Sequence, residues 1–275
     1  MLIDKIVESG ILPDSVLRYV VQQGLNRYQQ RITKLTCDEI LQVQTSFKQE
    51  SLSGSIALSV SKANDQHYEI PVVFFEHVLG ETMKYSGSYW PTGCHKIDDA
   101  DNKTLDEYID KASIENGHRI LDLGAGWGSL AIKMANQFKN SEIRALTNSS
   151  IQKSFIDKRA RGLGLSNITV VKSDINDFET FERFDRITSI EMFEHLRNPE
   201  MVISKVDKWL NDKGKLFIQV FSHRYFPQFF DNTQTSWMSR HFFTNGMMPY
   251  RNFYQELEIP LQLDETWTCL LYTSD

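Results

Sequence analysis

The sequence predicts an α/β protein, a doubly wound and mainly parallel sheet, and three observations lead there. From residue 119 onward, short apolar runs that end in Gly, Asn or Asp alternate with helical stretches. The stretches between those runs are long enough for the crossover helix that parallel neighbours require. Residues before 81 show helical spacing and no strand alternation, so helices lead into the sheet.

In order along the chain, Leu12, Val16, Tyr19, Val20 and Leu25 recur at helical intervals within 12–33, where Asp14 or Ser15 can cap the start. Further helical pattern covers 36–50 and 71–79, around the polar stretch SKANDQHYEIP. The expected division is a helical N-terminal segment, 1–80, and a sheet-bearing domain, 81–275. There RILDLGAG reads as a buried strand, Trp127 to Phe138 as a helix and EIRALTN as a second strand. SSIQKSFIDKRARGLG is a helix capped by Ser149 or Ser150, with Gly162 and Gly164 near its end. ITVVKSD and FDRITSIEM are the third and fourth strands. Asn198-Pro199 opens a helix with a capping Asn and Pro at the first helical position. NDKG turns the chain into a fifth strand, KLFIQVF, and LQLDETWTC reads as the start of a sixth.

Composition narrows the function. A net charge of -6 gives no basic surface for nucleic acid or anionic lipid, so no nucleic-acid partner is expected. No apolar run reaches a membrane span, which leaves peripheral contact as the remaining way to meet a bilayer. The opening MLIDKIVESG has early acids and no apolar core, so it does not read as a secretory signal. Three scattered cysteines, Cys37, Cys94 and Cys269, build neither a disulfide framework nor a metal site. A cytoplasmic protein without a metal is the expectation.

The motif LDLGAGWG, Leu121 to Gly128, ends the first strand in Gly124, Gly126 and Gly128. Such a loop lets backbone approach a ligand and aims a helix N-terminus at it. A P-loop is excluded because no GK[ST] follows, and the run is GxGxG where a dinucleotide fingerprint wants GxGxxG. The second strand also lacks the acid that would hold a dinucleotide ribose; it ends in Thr147-Asn148, with Gln152 one helical turn on. The third strand ends in Asp174 and Ile175, a pair suited to an exocyclic amine and a flat ring. Asp174 could equally cap the following turn, NDFET.

LDLGAGWGSL, the SD that closes strand three and SIEMFEH together resemble class I S-adenosylmethionine-dependent methyltransferases. More narrowly they are similar to the cyclopropane-fatty-acid synthase family and its coclaurine and tetrahydroprotoberberine N-methyltransferase relatives. MKYSGSYW (83–90), LTNSSIQK (146–153), GLSNITVVKSDI (164–175) and WMSRHFFTNGMMP (237–249) resemble family segments in the same order. The resemblance implies a Rossmann-like methyltransferase sheet with S-adenosylmethionine as cofactor. It places Tyr85 and Ser86 on a lid over the cofactor, Gly124 at its methionine portion, Asn148 and Gln152 at the ribose, and Asp174 and Ile175 at adenine, with Gly126 also among the cofactor-binding residues. It also implies that the family pattern runs on past Asp275, so incomplete C-terminal strands are expected.

Two branches share these motifs. The cyclopropanating pattern has Cys in YSC, a small residue in place of Glu191 and a histidine in strand five, a set that resembles a bicarbonate site. This chain has Gly87, Glu191 and Gln219 at those places and keeps only Glu194. The N-methyltransferase branch writes SIEMFEH or close to it, and its chemistry suits these residues. An amine must lose a proton to expose its lone pair, and His195 can take it. Glu191 can attract the ammonium while Glu194 orients the imidazole. The expected function is therefore N-methylation of a small or lipid-like amine, with Glu191, Glu194 and His195 as catalytic residues. Methyl or methylene transfer to unsaturated acyl chains, and a non-catalytic cofactor-binding module, are the alternatives. The aromatic-rich segment 236–254 can wall an apolar acceptor pocket, or equally pack as core or face a membrane, with His241 and Tyr250 as candidate acceptor contacts.

Overall fold

Five parallel strands in the order β3-β2-β1-β4-β5 make the sheet: β1 (Arg119–Leu123), β2 (Glu142–Thr147), β3 (Ile168–Lys172), β4 (Phe184–Ile190) and β5 (Leu210–Gln219). The computed structural model describes residues 7, 9–57, 70–231, 237–241 and 243–269. The chain divides into two compact units, one up to Ser46 and one from Phe47.

In the first unit α1 (Asp14–Ile32) buries none of its side chains. Its expected cap is not made: Pro13 stands at the cap position, and Asp14 instead binds Arg18 one turn on at 2.6 Å. The helix α2 (Cys37–Leu52) is started by a capping box, in which Thr36 N–H and hydroxyl donate to Glu39 Oε2 while Glu39 N–H donates to Thr36 Oγ1. No described helix is long and apolar enough to cross a membrane.

In the second unit the remaining helices are α3 (Val72–Val78), α4 (Ile97–Lys111), α5 (Ser129–Gln137), α6 (Ser150–Gly162), α7 (Pro199–Trp209) and the short α8 (Trp237–His241). The sheet is apolar on both faces, as a parallel sheet with helices on each side must be. Leu121 and Leu123 of β1 join a core with Ile187, Val202 and Val206, while Ile120, on the other face, joins another with Ile143, Val170 and Met134. Each such buried side chain contributes about 1.5–3 kcal/mol. Phe47 and Ile56 pack in the first of these cores, and Phe75 of α3 packs with Met83 and Trp127, so residues well before 81 belong with the sheet.

The caps expected for α6 and α7 are present. Ser149 Oγ accepts from Gln152 N–H, and Asn198 Oδ1 accepts from Met201 N–H with Pro199 at the first helical position. The NDKG turn is absorbed into β5 as an irregularity opposite Asp185, where Asn211 Nδ2 donates to Asp185 Oδ1 at 2.8 Å. The sixth strand is not formed: residues 261–269 are irregular. That segment is held by side chains, Lys215 to Asp264 and Trp267 against Phe217, and no backbone neighbour among the described residues supplies a ladder. A small antiparallel pair, β6 (Gln228–Phe229) with β7 (Met247–Met248), carries the aromatic segment.

Candidate active site

Strand order reverses between β1 and β4, because β2 and β3 lie to one side of β1 and β4 and β5 to the other. Ligands of open α/β sheets bind at the carboxyl ends of the strands beside such a switch point. The residues expected to hold the cofactor or act on the acceptor lie there, apart from Tyr85 and Ser86, which come from the connection between α3 and α4, and the candidate contacts His241 and Tyr250, which follow β5.

On the donor side, Gly124 and Gly126 have φ of +74° and +55°, values that favour glycine. A Cβ on Gly124 would stand 2.8 Å from Met192 Cγ, whereas one on Gly126 would meet nothing within 4 Å. Gly124 thus lets the loop pass Met192, and Gly126 opens onto free space. At the end of β2, Thr147 Oγ1 accepts from Ser149 N–H and so has its own proton for Gln152 Oε1, 2.6 Å away. That fixes the amide of Gln152 with its nitrogen as the free end, and Nε2 is buried with no partner. A buried amide nitrogen left unpaired costs stability, and a ribose hydroxyl would satisfy it. Asn148 sits beside it, half-buried. Asp174 does cap the next turn: its Oδ1 accepts from Asn176 N–H at 2.8 Å and from Asn176 Nδ2 at 2.9 Å. Oδ2 takes no part in that turn, so capping and ligand binding are compatible. Ile175 is buried in the core and offers at most an edge to a ring.

Tyr85 packs edge-on against Phe75 at 5.2 Å, and the turn that carries it is strapped to α4. Thr82 and Ser88 hydroxyls donate to Asp101, and Tyr89 N–H donates to Thr104 Oγ1. These fixed groups fit S-adenosylmethionine: an orphaned donor, an open glycine and a free carboxylate oxygen on three successive strand ends.

On the acceptor side, β4 stops at Ile190, earlier than the apolar run in the sequence. Glu191 has a φ of +47°, a left-handed conformation that costs a non-glycine residue on the order of 1–2 kcal/mol. The kink throws Glu191 off the strand and starts the short helix Phe193–His195. Glu191 remains tied to the sheet, since its N–H donates to Gln219 O and its Oε1 accepts from Gln219 Nε2 at 3.3 Å. The backbone of Gly87 also favours the charged form of the Glu191 carboxyl. Burial raises this carboxyl above its usual range, and the Lys84 ammonium opposes the rise.

Glu194 is fully buried, its Oε1 accepting from Phe221 N–H at 2.7 Å and its Oε2 without a partner. Burial, with Glu191 nearby, pushes its carboxyl up to about 8, so it is mainly protonated at neutral pH. The Tyr254 hydroxyl, buried and unpartnered as well, is held well above its usual value by burial and by Glu194. His195 lies half-buried with its ring edge-on to Phe243 at 4.8 Å. Phe221 and Phe230 pack on the same Phe243, so an aromatic wall does stand beside the histidine. Tyr250 does not line it: its hydroxyl donates to Glu256 and its ring packs with Phe47 and Phe253 in the core. His241 closes α8, and its side chain lies outside the described residues. A separate groove of about 1120 Å³ between α3 and the first turns of α6 includes none of the expected site residues.

Three residues of the site were not singled out from sequence: Lys84, Tyr108 and Tyr254. Lys84 stands inside MKYSGSYW, but nothing in a sequence separates a buried lysine from the usual exposed one.

Residues 58–260 match the sequence profile of the mycolic acid cyclopropane synthetase family. The chain belongs to that family. Its class of reaction is methyl transfer, and its donor is S-adenosylmethionine. Within the family the chain is similar to (S)-coclaurine N-methyltransferase of Thalictrum flavum subsp. glaucum, 31% identical over 267 residues that make up 96% of this chain and 74% of the relative. Cyclopropane-fatty-acyl-phospholipid synthase of Escherichia coli (strain K12) is 29% identical over 186 residues, 67% of this chain and 46% of that enzyme. The crystal structure of coclaurine N-methyltransferase bound to N-methylheliamine and SAH superposes with a TM-score of 0.86 at 29% identity, covering 93% of this chain and 75% of that one. The doubly wound fold expected from sequence is thus the methyltransferase fold of this family.

Proposed function

We propose that this enzyme transfers the methyl group of S-adenosylmethionine to the nitrogen of a small or lipid-like amine. One observation carries the reading. Two of the places at which the chain departs from the cyclopropanating pattern meet at one carboxylate: Gln219 Nε2 donates to Glu191 Oε1 at 3.3 Å, and the backbone of Gly87 beside them favours the charged form. An anion built and held in this way attracts an ammonium; an alkene would give it nothing to bind. Similarity to N-methyltransferases over nearly the whole chain points the same way.

The sulfonium donor supplies an electrophilic methyl group. Gln152, Asn148 and Asp174 hold the donor, and the open face at Gly126 admits it. Glu191 draws in the acceptor ammonium, and His195 takes its proton so that the nitrogen lone pair is free. Glu194, carrying its own proton near pH 7, acts as a neutral group that keeps negative charge in the pocket to one carboxylate. Phe221 and Phe243 exclude water from the acceptor.

The test is a screen with labelled donor against primary to tertiary amines and against unsaturated phospholipids. Label on an amine nitrogen is the expected result. Label on acyl chains alone would overturn the reading.

A further inference from the structure

Lys84 is 3% exposed, an unusual place for an ammonium. Its Nζ donates to Ser86 Oγ at 2.6 Å, Ser86 O at 3.1 Å and Gly87 O at 2.5 Å. An ammonium has three N–H donors, so the turn after it uses them all. The Tyr108 ring lies 5.5 Å from Nζ. The acids that act on Lys84 are Glu191 and Asp101, and Asp101 is already engaged by the Thr82 and Ser88 hydroxyls. Glu191 in turn accepts a hydrogen bond from Gln219 Nε2. Lys84 therefore serves the turn through its hydrogen bonds and Glu191 through its charge.

The geometry points to Lys84 as a positioning residue that fixes the Tyr85–Gly87 turn on the donor side and holds Glu191 as an anion on the acceptor side. The inference rests on the amine-methylation reading above and adds to it a link between the two halves of the site. The groups that act on the Glu191 carboxyl are Lys84, Gln219 and Gly87; Glu191 in turn acts on Glu194 and Tyr108. Without the lysine, the largely buried Glu191 carboxylate would lose the cation that opposes its desolvation and would take up a proton more readily. Burial draws the Lys84 ammonium down to about 8, with Glu191 and Asp101 opposing that fall. The pair is thus poised so that loss of either charge releases the other.

The experiment compares the full chain with Lys84→Met and Lys84→Arg. Lys84→Met is expected to weaken S-adenosylhomocysteine about tenfold by calorimetry and to move the acid limb of kcat/KM to higher pH by about one unit. Lys84→Arg keeps the charge, so the limb should return to its wild-type place while the ligand stays weaker, because a guanidinium cannot repeat three bonds to one turn. A limb that does not move in Lys84→Met overturns the charge role; unchanged S-adenosylhomocysteine affinity overturns the turn role. Should Lys84→Met fail to fold, Lys84→Gln replaces it. Should the wild type bind S-adenosylhomocysteine yet methylate no amine, the amine reading fails on its own. The Glu191 titration, followed by NMR on carbon-13-labelled glutamate, then decides the charge role without turnover.

Discussion

Gln152→Met removes one buried amide and changes little else, which makes its consequences calculable. The substitution keeps the side chain's volume and deletes the unpartnered Nε2. It also deletes the acceptor of the Thr147 hydroxyl, whose bond to Gln152 Oε1 is 2.6 Å long. In the ligand-free protein one unpaired donor is exchanged for another. An unsatisfied buried polar group costs about 1–3 kcal/mol, so the two changes offset and the net effect on stability should stay within about 1 kcal/mol. In the complex the amide would give its proton to a ribose hydroxyl, a bond worth about 1 kcal/mol, or about fivefold in Kd. Urea denaturation and calorimetric titration with S-adenosylhomocysteine measure the two quantities on the same sample. The refuting result is a variant that loses several kcal/mol of stability while keeping its affinity. That pattern would make Gln152 a packing residue whose free nitrogen meets nothing.

Other perturbations separate the roles of the remaining groups. His195→Ala should abolish methyl transfer while S-adenosylhomocysteine affinity stays within a factor of about two, and unchanged turnover would remove it as the base. Glu194 has its carboxyl raised from 4.5 to about 8 in the folded state, so the native protein binds more protons than the unfolded chain between those values. Its contribution to stability is complete below pH 4.5 and declines as pH rises toward 8. Glu194→Gln should flatten the fall in Tm across that window; an equally steep fall in the variant would place its origin elsewhere, Asp122 with a carboxyl at about 7 being the next candidate. Gly124→Ala must move Met192, 2.8 Å from the new methyl group, and should cost about 1–3 kcal/mol in thermal denaturation. Gly126→Ala meets no neighbour and should cost only the left-handed backbone, about 1 kcal/mol, while weakening S-adenosylhomocysteine more than Gly124→Ala does.

The sheet was legible because its signals are local. β1, β2 and β4 each show an apolar run, a turn residue and a following helix, β3 and β5 show the apolar run without one, and Ser149 and Asn198 cap where their side chains allow. What failed depended on partners distant in sequence. LQLDETWTC has strand-like composition, but a strand needs a neighbouring backbone, and composition does not report one. Asp14 had a capping side chain yet pairs with Arg18, because Pro13 takes the cap position and Asp14 is already inside the helix. At the site, Glu191, Glu194 and His195 could be named from their unusual setting in an apolar run. Their electrostatics could not, since the protonation of Glu194 follows from complete burial, and the company of Glu191 comes from Lys84, Gly87 and Gln219, which lie 107, 104 and 28 residues away along the chain.

The convergence of Gly87 and Gln219 on Glu191 bears on how the two chemistries of this family can interconvert. Reverting Glu191 alone leaves the Gln219 amide without its acceptor and the Lys84 ammonium without the anion that faces it. Reverting Gln219 alone takes the amide donor from a largely buried carboxylate, whereas the Gly87 contribution is a backbone N–H that any residue but proline keeps. Both of these single steps are costly, so Glu191 and Gln219 should show strongly non-additive effects in mutant cycles. A route from one substrate class to the other then crosses a fitness valley, and a chain with only part of the set would be the least stable form of all.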